Sequence, residues 1–297
     1  MDLQCYRNFI AIVEEGSLTA AADVLHLTQP TLSRQIRDLE EELGKRLLLR
    51  KSHRVELTPE GVLLRKRAEE IVAMADKTEA EFAAMEDAPR GEIYLGGGET
   101  QALRQVAGVM KTLQEDCPGI RYHLYSGNAQ DVTERLDKGL LDFGILIQPA
   151  DLSKYDSLAL PDRDVWGVVM RKDSPLAKKR AIEKQDLLGV PLICSRQALL
   201  PLREGNEFAG WFGGDLERLE IVATFNLVDN ALLMAEAGMG YAVTIDKLAN
   251  TAEYSALCFR PLFPRLESGL NVVWKKHQVF SPAAALFLKR LKEAFGG

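Results

Sequence analysis

The chain has 297 residues, of which 46% are hydrophobic and 27% charged, and its formal net charge is −6. This length and composition suit a globular protein with two or three domains. The acidic balance excludes a protein whose whole surface binds nucleic acid, so any DNA contact must be local. No apolar run reaches the roughly 18 to 20 residues that span a bilayer, and the first residues lack the pattern of an export signal. We therefore expect a cytoplasmic protein.

The four cysteines, Cys5, Cys117, Cys194 and Cys258, are far apart and form no C-x-x-C motif. A cytoplasmic thiol is normally reduced, so we expect neither a disulfide framework nor a zinc cluster. The simplest interpretation is that all four are small core residues. A redox role for Cys194 or Cys258 stays open, because the sequence does not give the distance between them.

Residues 1–58 have the pattern of three short helices followed by a hairpin. Apolar residues recur at three- and four-residue spacing from Leu3 to Val13, which predicts an amphipathic first helix. Ser17 is a suitable N-cap for the second helix and Thr28 for the third, which Gly44 should end. The pattern predicts a compact helical unit.

The exposed side of the third helix carries polar and basic groups that can bond to base edges and phosphates. These candidate DNA-binding residues are Gln29, Pro30, Thr31, Ser33, Arg34 and Arg37, together with Arg50 and Arg54 around the hairpin turn. Each feature alone has a plainer interpretation. Amphipathic three-helix units occur in many cores, and a run of charges is often only a solvated face.

The order of these features resembles the LysR-type transcriptional regulators. The resemblance rests on L-T-A-A-A-D-V-L-H-L-T-Q-P-T-L-S-R-Q-I-R-D-L-E-E-E-L-G, then L-L-L-R and L-T-P-E-G, between Tyr6 and Gly61. It implies a winged helix-turn-helix in which the start of the third helix enters the major groove, with Arg37 near the backbone. It also implies that the wing at residues 50–54 approaches the minor groove. Leu49 departs from the phenylalanine that many members carry, which affects wing packing more than DNA chemistry.

Residues 59–90 are predicted to form a long linker and dimerisation helix, with the Thr58 hydroxyl capping its start. Apolar residues repeat at heptad spacing along it, at Leu64, Ala68, Ile71, Ala75, Thr78, Phe82 and Met85. Packing along its own domain is the alternative, but the rest of the helix is polar and leaves little to bury except a second copy. Two recognition helices at fixed spacing would read an interrupted inverted repeat in double-stranded DNA. The resemblance adds the expectation of a homotetramer.

Residues 91–297 alternate between strand and helix patterns, which predicts an α/β domain with a mostly parallel sheet. The resemblance implies a two-lobed effector-binding domain similar to type 2 periplasmic binding proteins. Lobe I should comprise about residues 91–163 and 265–297, and lobe II about residues 164–264. The expected fold class is α/β overall: an N-terminal all-α winged helix-turn-helix, a linker helix and this two-lobed domain.

Ligands of open α/β sheets bind where strands end and helices begin, and the free amides there favour an anion. The candidate effector-binding residues follow predicted strands: Gly98, Thr100, Gln101, Ser126, Asn128, Gln148, Arg196, Asn226 and Thr244. Ordinary turns and caps are the alternative for each of them. The glycine-rich segment 96–98 lacks the following residues of a nucleotide loop. Ile245 and Asp246 stand where many relatives have Leu-Pro, which weakens the inference for that loop.

The predicted function is a sequence-specific transcription regulator, controlled by a small anionic effector that closes the two lobes and changes how the DNA-binding units are spaced. The main alternative is an enzyme built on the two-lobed domain, with the N-terminal unit used for assembly. A periplasmic solute-binding protein is a second alternative, which the missing export signal opposes. The four histidines are dispersed and no nucleophile motif is present. We expect no catalytic residue, no metal and no cofactor.

Overall fold

The structure is a computed structural model that describes residues 2–51, 54–83, 90–199 and 207–296. It divides into two compact units, Met1–Ala83 and Ala84–Gly297. The long helix, which the sequence analysis treated as a separate segment, groups with the first unit.

The first unit contains four helices and one hairpin in the described ranges. These elements are α1 (Leu3–Glu15), α2 (Leu18–Val24), α3 (Gln29–Leu43), β1 (Leu48–Lys51), β2 (Arg54–Leu57) and α4 (Pro59–Ala83). The predicted caps are confirmed: the Ser17 and Thr28 side chains accept hydrogen bonds from backbone amides of α2 and α3. Gly44 ends α3 at a φ of 65°, a left-handed conformation that favours glycine.

A small apolar core fixes the three helices α1 to α3. Phe9 and Ile12 of α1 and Leu32, Ile36 and Leu39 of α3 are buried in it. Burying side chains of this size stabilises the unit by about 1.5 to 3 kcal/mol each. The opposite side of α3 is therefore left to solvent in a fixed orientation.

The end of α3 is bonded directly to the hairpin. The Glu40 carboxylate accepts hydrogen bonds from the backbone amides of Leu47 (2.7 Å) and Leu48 (3.1 Å). Leu48 in turn pairs with Leu57 in the antiparallel ladder of β1 and β2. The position of the hairpin is thus set by a side chain of α3.

Two residues of the L-T-P-E-G segment, Thr58 and Gly61, have specific roles at the start of α4. The Thr58 hydroxyl donates to the carbonyl of Arg46 at 2.7 Å and accepts from the amide of Gly61 at 2.9 Å, so it caps α4 and holds the preceding chain. A Cβ added at Gly61 would lie 2.2 Å from the carbonyl oxygen of Leu47. Only glycine allows this close approach between α4 and the start of the hairpin.

The predicted heptad seam of α4 changes character along the helix. Ala68 is fully buried in its own unit and Leu64 packs against the core, whereas Ile71 is 44% and Phe82 67% exposed. Met85, the last predicted seam position, lies outside the described residues. Among the described residues, helices with the length and apolarity to cross a bilayer are absent.

The second unit contains two mixed sheets. Its strands are β3 (Gly91–Gly97), β4 (Ile120–Ser126), β5 (Phe143–Ile147), β6 (Tyr155–Ala159), β7 (Asp164–Arg171), β8 (Ile182–Glu183), β9 (Pro191–Ser195), β10 (Glu220–Phe225), β11 (Tyr241–Ile245), β12 (Leu257–Phe263), β13 (Glu267–Ser268) and β14 (Leu270–Lys275). Its helices are α5 (Leu103–Asp116), α6 (Ala129–Asp137), α7 (Glu207–Phe212), α8 (Asp229–Glu236) and α9 (Pro282–Phe295).

The first sheet has the strand order β4-β3-β5-β14-β6, and the second has β10-β9-β11-β7-β12-β8, with β13 beside β7. The predicted parallel pairing is confirmed for β3, β4 and β5, since β3 runs parallel to both of the others. The expectation of a mostly parallel domain is wrong, because β14 runs antiparallel to β5 and β6, and β7 antiparallel to β11, β12 and β13. The cause is that the chain leaves the first sheet and later returns to it in the opposite direction.

Each sheet has its own buried cores, so the second unit consists of two lobes. The first lobe is the first sheet with α5, α6 and α9, whose core includes Phe143 and Phe287. The second lobe is the second sheet with α7 and α8, whose core includes Val168 and Phe212. Asp164 is the first residue of β7 and therefore marks the crossing from the first lobe to the second.

Candidate functional site

The start of α3 presents most of the predicted DNA-binding side chains to solvent. Gln29, Pro30, Thr31, Arg34 and Arg37 are all exposed. The Arg34 side chain is 82% exposed and makes only a long 3.8 Å ion pair with Asp38, so its guanidinium can reach a partner outside the unit. The structure separates Ser33 from the others because Ser33 is buried, at 6% exposure, next to the core residue Leu32.

The predicted wing is the antiparallel hairpin of β1 and β2. Arg54 is exposed at the start of β2, opposite Lys51. Arg50 pairs with Val55 in the ladder, but its side chain lies outside the described residues, as do residues 52 and 53. The hairpin therefore presents at least one arginine, Arg54, to solvent.

A cleft of about 550 Å³, including its open mouth, lies between the two lobes. It is reached from strand ends and helix starts of both sheets, as expected for open α/β folds. Its lining residues are Gly98, Glu99, Asn128, Ile147, Gln148, Pro149, Trp166, Ser195, Gln197, Ala198, Phe225, Asn226, Val228, Thr244, Ile245 and Leu248.

The structure brings some predicted effector-binding residues together in this cleft and leaves others outside it. Those that line it are Gly98, Asn128, Gln148, Asn226 and Thr244. Those outside the described lining are Thr100, Gln101, Ser126 and Arg196. Ser126 and Arg196 are exposed elsewhere, although each directly follows or ends a strand of the site.

Thr100 and Gln101, which follow the glycine-rich segment, form their side-chain hydrogen bonds with other residues of the protein. The Thr100 hydroxyl donates to the Asp164 carboxylate at 2.8 Å and accepts from the amide of Ala102 at 3.0 Å. The Gln101 side chain accepts a hydrogen bond from Arg104 at 2.7 Å. Thr100 thus holds the chain at the crossing between lobes, whereas the Gln101 bond stays within its own segment, and neither side chain lines the cleft.

The side-chain amides of Asn128, Gln148 and Asn226 differ in how many hydrogen bonds they already make within the protein. Asn128 caps α6 by accepting from the amide of Asp131, and Gln148 bonds to Asn271 and to the amide of Ala150. Asn226, by contrast, makes no side-chain hydrogen bond to another described residue, so its amide is the one most available to a ligand.

The remaining lining residues are mainly apolar, and they form most of the cleft surface. Trp166 and Phe225 supply aromatic surface, while Ile147, Ile245 and Leu248 supply aliphatic surface. Ser195 and Phe225 also line the cleft, and each stands at the end of its strand, the position at which the sequence predicts ligand contacts. A cleft with an apolar lining and a few amides and hydroxyls is typical of small-molecule sites.

Glu99 is the only charged side chain among the described lining residues. Its carboxylate accepts a hydrogen bond from the backbone amide of Val228, the N-cap residue of α8. Burial raises the pKa of Glu99, the Val228 hydrogen bond lowers it, and the nearby Asp229 raises it. The carboxylate therefore already occupies a position at which a bound anion could be placed.

Gln197 contacts the opposite side of the cleft. Its side-chain amide donates to the carbonyls of Ile147 and Pro149, each at 3.0 Å, and accepts from the amide of Ala129 at 3.2 Å. Gln197 follows β9 of the second lobe, and all three partners belong to the first lobe. One side chain thus joins the lobes by three hydrogen bonds.

Other reactive groups contribute less to this site. The cysteines are unpaired thiols, and burial raises the pKa of Cys194 to about 12, which keeps it protonated near neutral pH and disfavours a redox role. Across the described ranges, His, Cys, Asp and Glu side chains do not group in the threes that a metal site needs.

Comparison with known proteins places this combination of fold and cleft in one class. Residues 3–62 match the model of the bacterial regulatory helix-turn-helix protein, lysR family, and residues 86–296 match the LysR substrate binding domain. The chain belongs to the LysR family. It is a transcriptional regulator with an N-terminal helix-turn-helix unit and a C-terminal effector-binding unit.

Similar proteins match along nearly their whole length. The Hca operon transcriptional activator HcaR of Escherichia coli is 30% identical over 302 residues, covering 99% of this chain and 98% of HcaR. The uncharacterized HTH-type transcriptional regulator YvbU of Bacillus subtilis is 27% identical, covering 97% of both chains. Full-length CbnR, solved in complex with its target DNA, has a TM-score of 0.75 at 20% identity, covering 99% of this chain and 100% of CbnR, and shares the fold.

Proposed function

We propose that this LysR-family regulator binds double-stranded DNA through the exposed start of α3 and the hairpin, and that a small anionic effector in the interlobe cleft controls it. The observation that carries the proposal is the exposed end of α3 on a chain that also has an interlobe cleft. Gln29, Thr31, Arg34 and Arg37 supply amide, hydroxyl and guanidinium groups on a fixed core. Such groups read base edges in a major groove and bond to phosphates.

The hairpin gives the second DNA contact in this proposal. Arg54 and Arg50 flank its turn, and a positive wing beside a recognition helix contacts phosphates or the minor groove. Because the chain as a whole is acidic, this local basic region should account for most of the salt dependence of DNA binding.

Self-association through α4 is the third part of the proposal. Ile71 and Phe82 expose apolar surface at heptad positions of α4, and a second copy of the helix would cover them. Dimers would present two α3 helices to an interrupted inverted repeat, and pairs of dimers would form the expected homotetramer.

The effector is proposed to be small, with an apolar body and an anionic group. Trp166 and Phe225 favour the apolar part. The backbone amides at the starts of α6 and α8 favour negative charge, and the amide of Val228 already donates a hydrogen bond to the carboxylate of Glu99. Such an effector alters transcription only if it binds two lobe arrangements with different affinity, which then changes how the DNA-binding units are held.

The proposal includes no catalytic step and no cofactor. The polar groups of the cleft are mostly amides and hydroxyls, and they are suited to hold and orient a ligand. A regulator of this kind acts where the chromosome is, so we place it in the cytoplasm.

Selection of DNA from a randomised duplex library with the full-length protein tests the DNA part without a known operator. We expect enrichment of one interrupted inverted repeat. Selection with the Arg34→Ala variant serves as the matched comparison and should lose that enrichment. A library that remains unselected by the wild-type protein would contradict the proposal.

A thermal-shift screen of small carboxylic acids against the full-length protein tests the effector part. An acid that raises the melting temperature should also change the footprint on the selected DNA. If every acid that binds leaves the footprint as it was, effector control through the cleft is wrong.

A further inference from the structure

Two side chains cross the interlobe cleft in opposite directions. Glu99 extends from the end of β3 in the first lobe to the amide of Val228 at the start of α8 in the second. Gln197 extends from the end of β9 in the second lobe to the amide of Ala129, the first residue of α6 in the first. Each lobe therefore supplies an acceptor oxygen to a helix start of the other lobe.

These contacts use groups that a helix leaves unsatisfied. The first amides of a helix have no intrahelical carbonyl partner, so they need a side chain, water or a ligand. Gln197 also satisfies the carbonyls of Ile147 and Pro149 at the end of β5. Separation of the lobes would break all four hydrogen bonds and return these backbone groups to water.

Another polar link between the lobes lies away from the cleft and has a different role. Thr100 bonds to Asp164 at the chain crossing itself. Contacts at a hinge change little when two lobes separate, whereas contacts across the cleft mouth must break. The distinction leaves Glu99 and Gln197 as the side chains whose bonds depend on closure.

We propose that Glu99 and Gln197 are paired interlobe latches that hold the cleft closed before any effector binds and that release together when it opens. The proposal rests on the proposed function only where it concerns the effector. An anionic effector group that reaches the Val228 amide must displace the Glu99 carboxylate. In this proposal the effector therefore releases the latches, whereas the sequence analysis expected an effector that closes the lobes. Glu99 is then the residue that makes this regulator respond to a competing anion.

Cooperation between the two latches separates this proposal from two independent helix caps. If each side chain only caps its partner helix, removing it affects that helix alone. If both hold one closure, removing either exposes both helix starts, because the open state lacks both contacts.

Amide hydrogen exchange of the full-length protein without ligand or DNA measures this directly. The variants Glu99→Met and Gln197→Met keep side-chain length and remove the hydrogen bonds. Gln101→Met and Arg196→Met are matched controls, since the side chains of these neighbours make no hydrogen bond between the lobes within the described part of the chain. Exchange is followed in peptides covering residues 127–134, at the start of α6, and residues 226–233, at the start of α8.

We expect either latch variant to accelerate exchange severalfold to about tenfold in both peptides, and both controls to match the wild type. Glu99→Gln keeps an acceptor oxygen and should stay near the wild type, which tests the chemistry even if a methionine variant folds poorly. Acceleration confined to the helix that lost its contact, or none in either peptide, overturns the proposal. Failure of the DNA selection would leave this result standing, so the two ideas fail separately.

Discussion

The Thr100 hydroxyl donates a 2.8 Å hydrogen bond to the carboxylate of Asp164, which is itself only 3% exposed. Thr100 follows the first strand of the first lobe, and Asp164 begins the first strand of the second lobe. The bond therefore fixes the place where the chain crosses between lobes. Burial raises the pKa of Asp164 to about 6, with Asp246 adding to the rise and the Thr100 hydrogen bond opposing it.

This raised pKa predicts a specific dependence of stability on pH. Between about pH 4 and 6 the folded protein holds a proton on Asp164 that the unfolded chain has lost, so stability contributed by this group falls as pH rises through 6. Relative to Asp164→Asn, the wild-type free energy of unfolding should be lower by roughly 2 to 3 kcal/mol above pH 7 and similar below pH 4. Urea unfolding followed by tryptophan fluorescence measures it, because Trp166, Trp211 and Trp274 all lie in the second unit.

The exposed Asp156 supplies the control for this pH experiment. Asp156→Asn should follow the wild-type curve at every pH. Parallel curves for the wild type and Asp164→Asn would show that the Asp164 proton does not contribute.

Gly61→Ala should destabilise the first unit by roughly 1 to 3 kcal/mol or more, because the added Cβ would overlap the Leu47 carbonyl, 2.2 Å away. Melting followed by far-UV circular dichroism tests this. Gly108→Ala is the matched control, since Gly108 lies in α5 with no atom within 4 Å of an added Cβ. That substitution should stabilise its helix by up to about 1 kcal/mol. Equal effects at the two positions would argue against the close approach.

Arg34 and Arg54 should affect DNA binding in different ways. Arg34→Ala should weaken binding to the selected sequence by about 1 to 3 kcal/mol if its guanidinium contacts a base. Arg54→Ala should weaken all sequences similarly and reduce the salt slope by about one. Fluorescence anisotropy at several salt concentrations measures both, with Arg180→Ala in the second unit as a control. Unchanged affinity in both variants would remove this surface from the DNA interface.

Ile71→Glu should weaken self-association through α4. The Ile71 side chain is 44% exposed, and a charge there would need to be desolvated between two helices. We expect at least about a tenfold higher dissociation constant in sedimentation velocity, against an unchanged value for the exposed control Glu79→Ala. A variant that associates like the wild type would place the dimer contact elsewhere.

The first unit was predictable from sequence because its signals are local. Ser17, Thr28 and Gly44 cap helices through residues three or four positions away, so the pattern alone carries their geometry. The role of Ser33 was harder to foresee, since its place on the helix face differs little from that of its exposed neighbours. Its burial is set by contacts with the rest of the core.

The second unit was predictable in outline and less so in its returning strands. The strand β12 contains Pro261, and because proline is unusual within a sheet the local sequence is a poor indicator of this strand. In the structure Pro261 pairs opposite Gly167 near the end of the ladder. The segment of β6 is polar and alternates weakly, so it also carries little strand pattern.

The cleft shows the limit of local signals more clearly. Strand ends indicated Gly98, Asn128 and Asn226, which the fold does bring to the cleft. Glu99 meets an amide 129 residues later in the chain, and Gln197 meets one 68 residues earlier. Such pairings depend on the arrangement of two lobes, so sequence spacing contains no sign of them.

The hydrogen bonds that the amides of Leu47 and Leu48 donate to Glu40 have a consequence for how regulators of this kind acquire new DNA sequences as targets. The helix α3, which carries Arg34, also holds the hairpin through Glu40. The orientations of α3 and the hairpin are therefore coupled. A graft that exchanges only residues 29–37 with those of a relative keeps this anchor and should transfer base preference on an unchanged footprint length. Altering the anchor instead would loosen the hairpin while leaving the recognised bases the same. A new operator would thus differ from the old one in its bases and keep the same length.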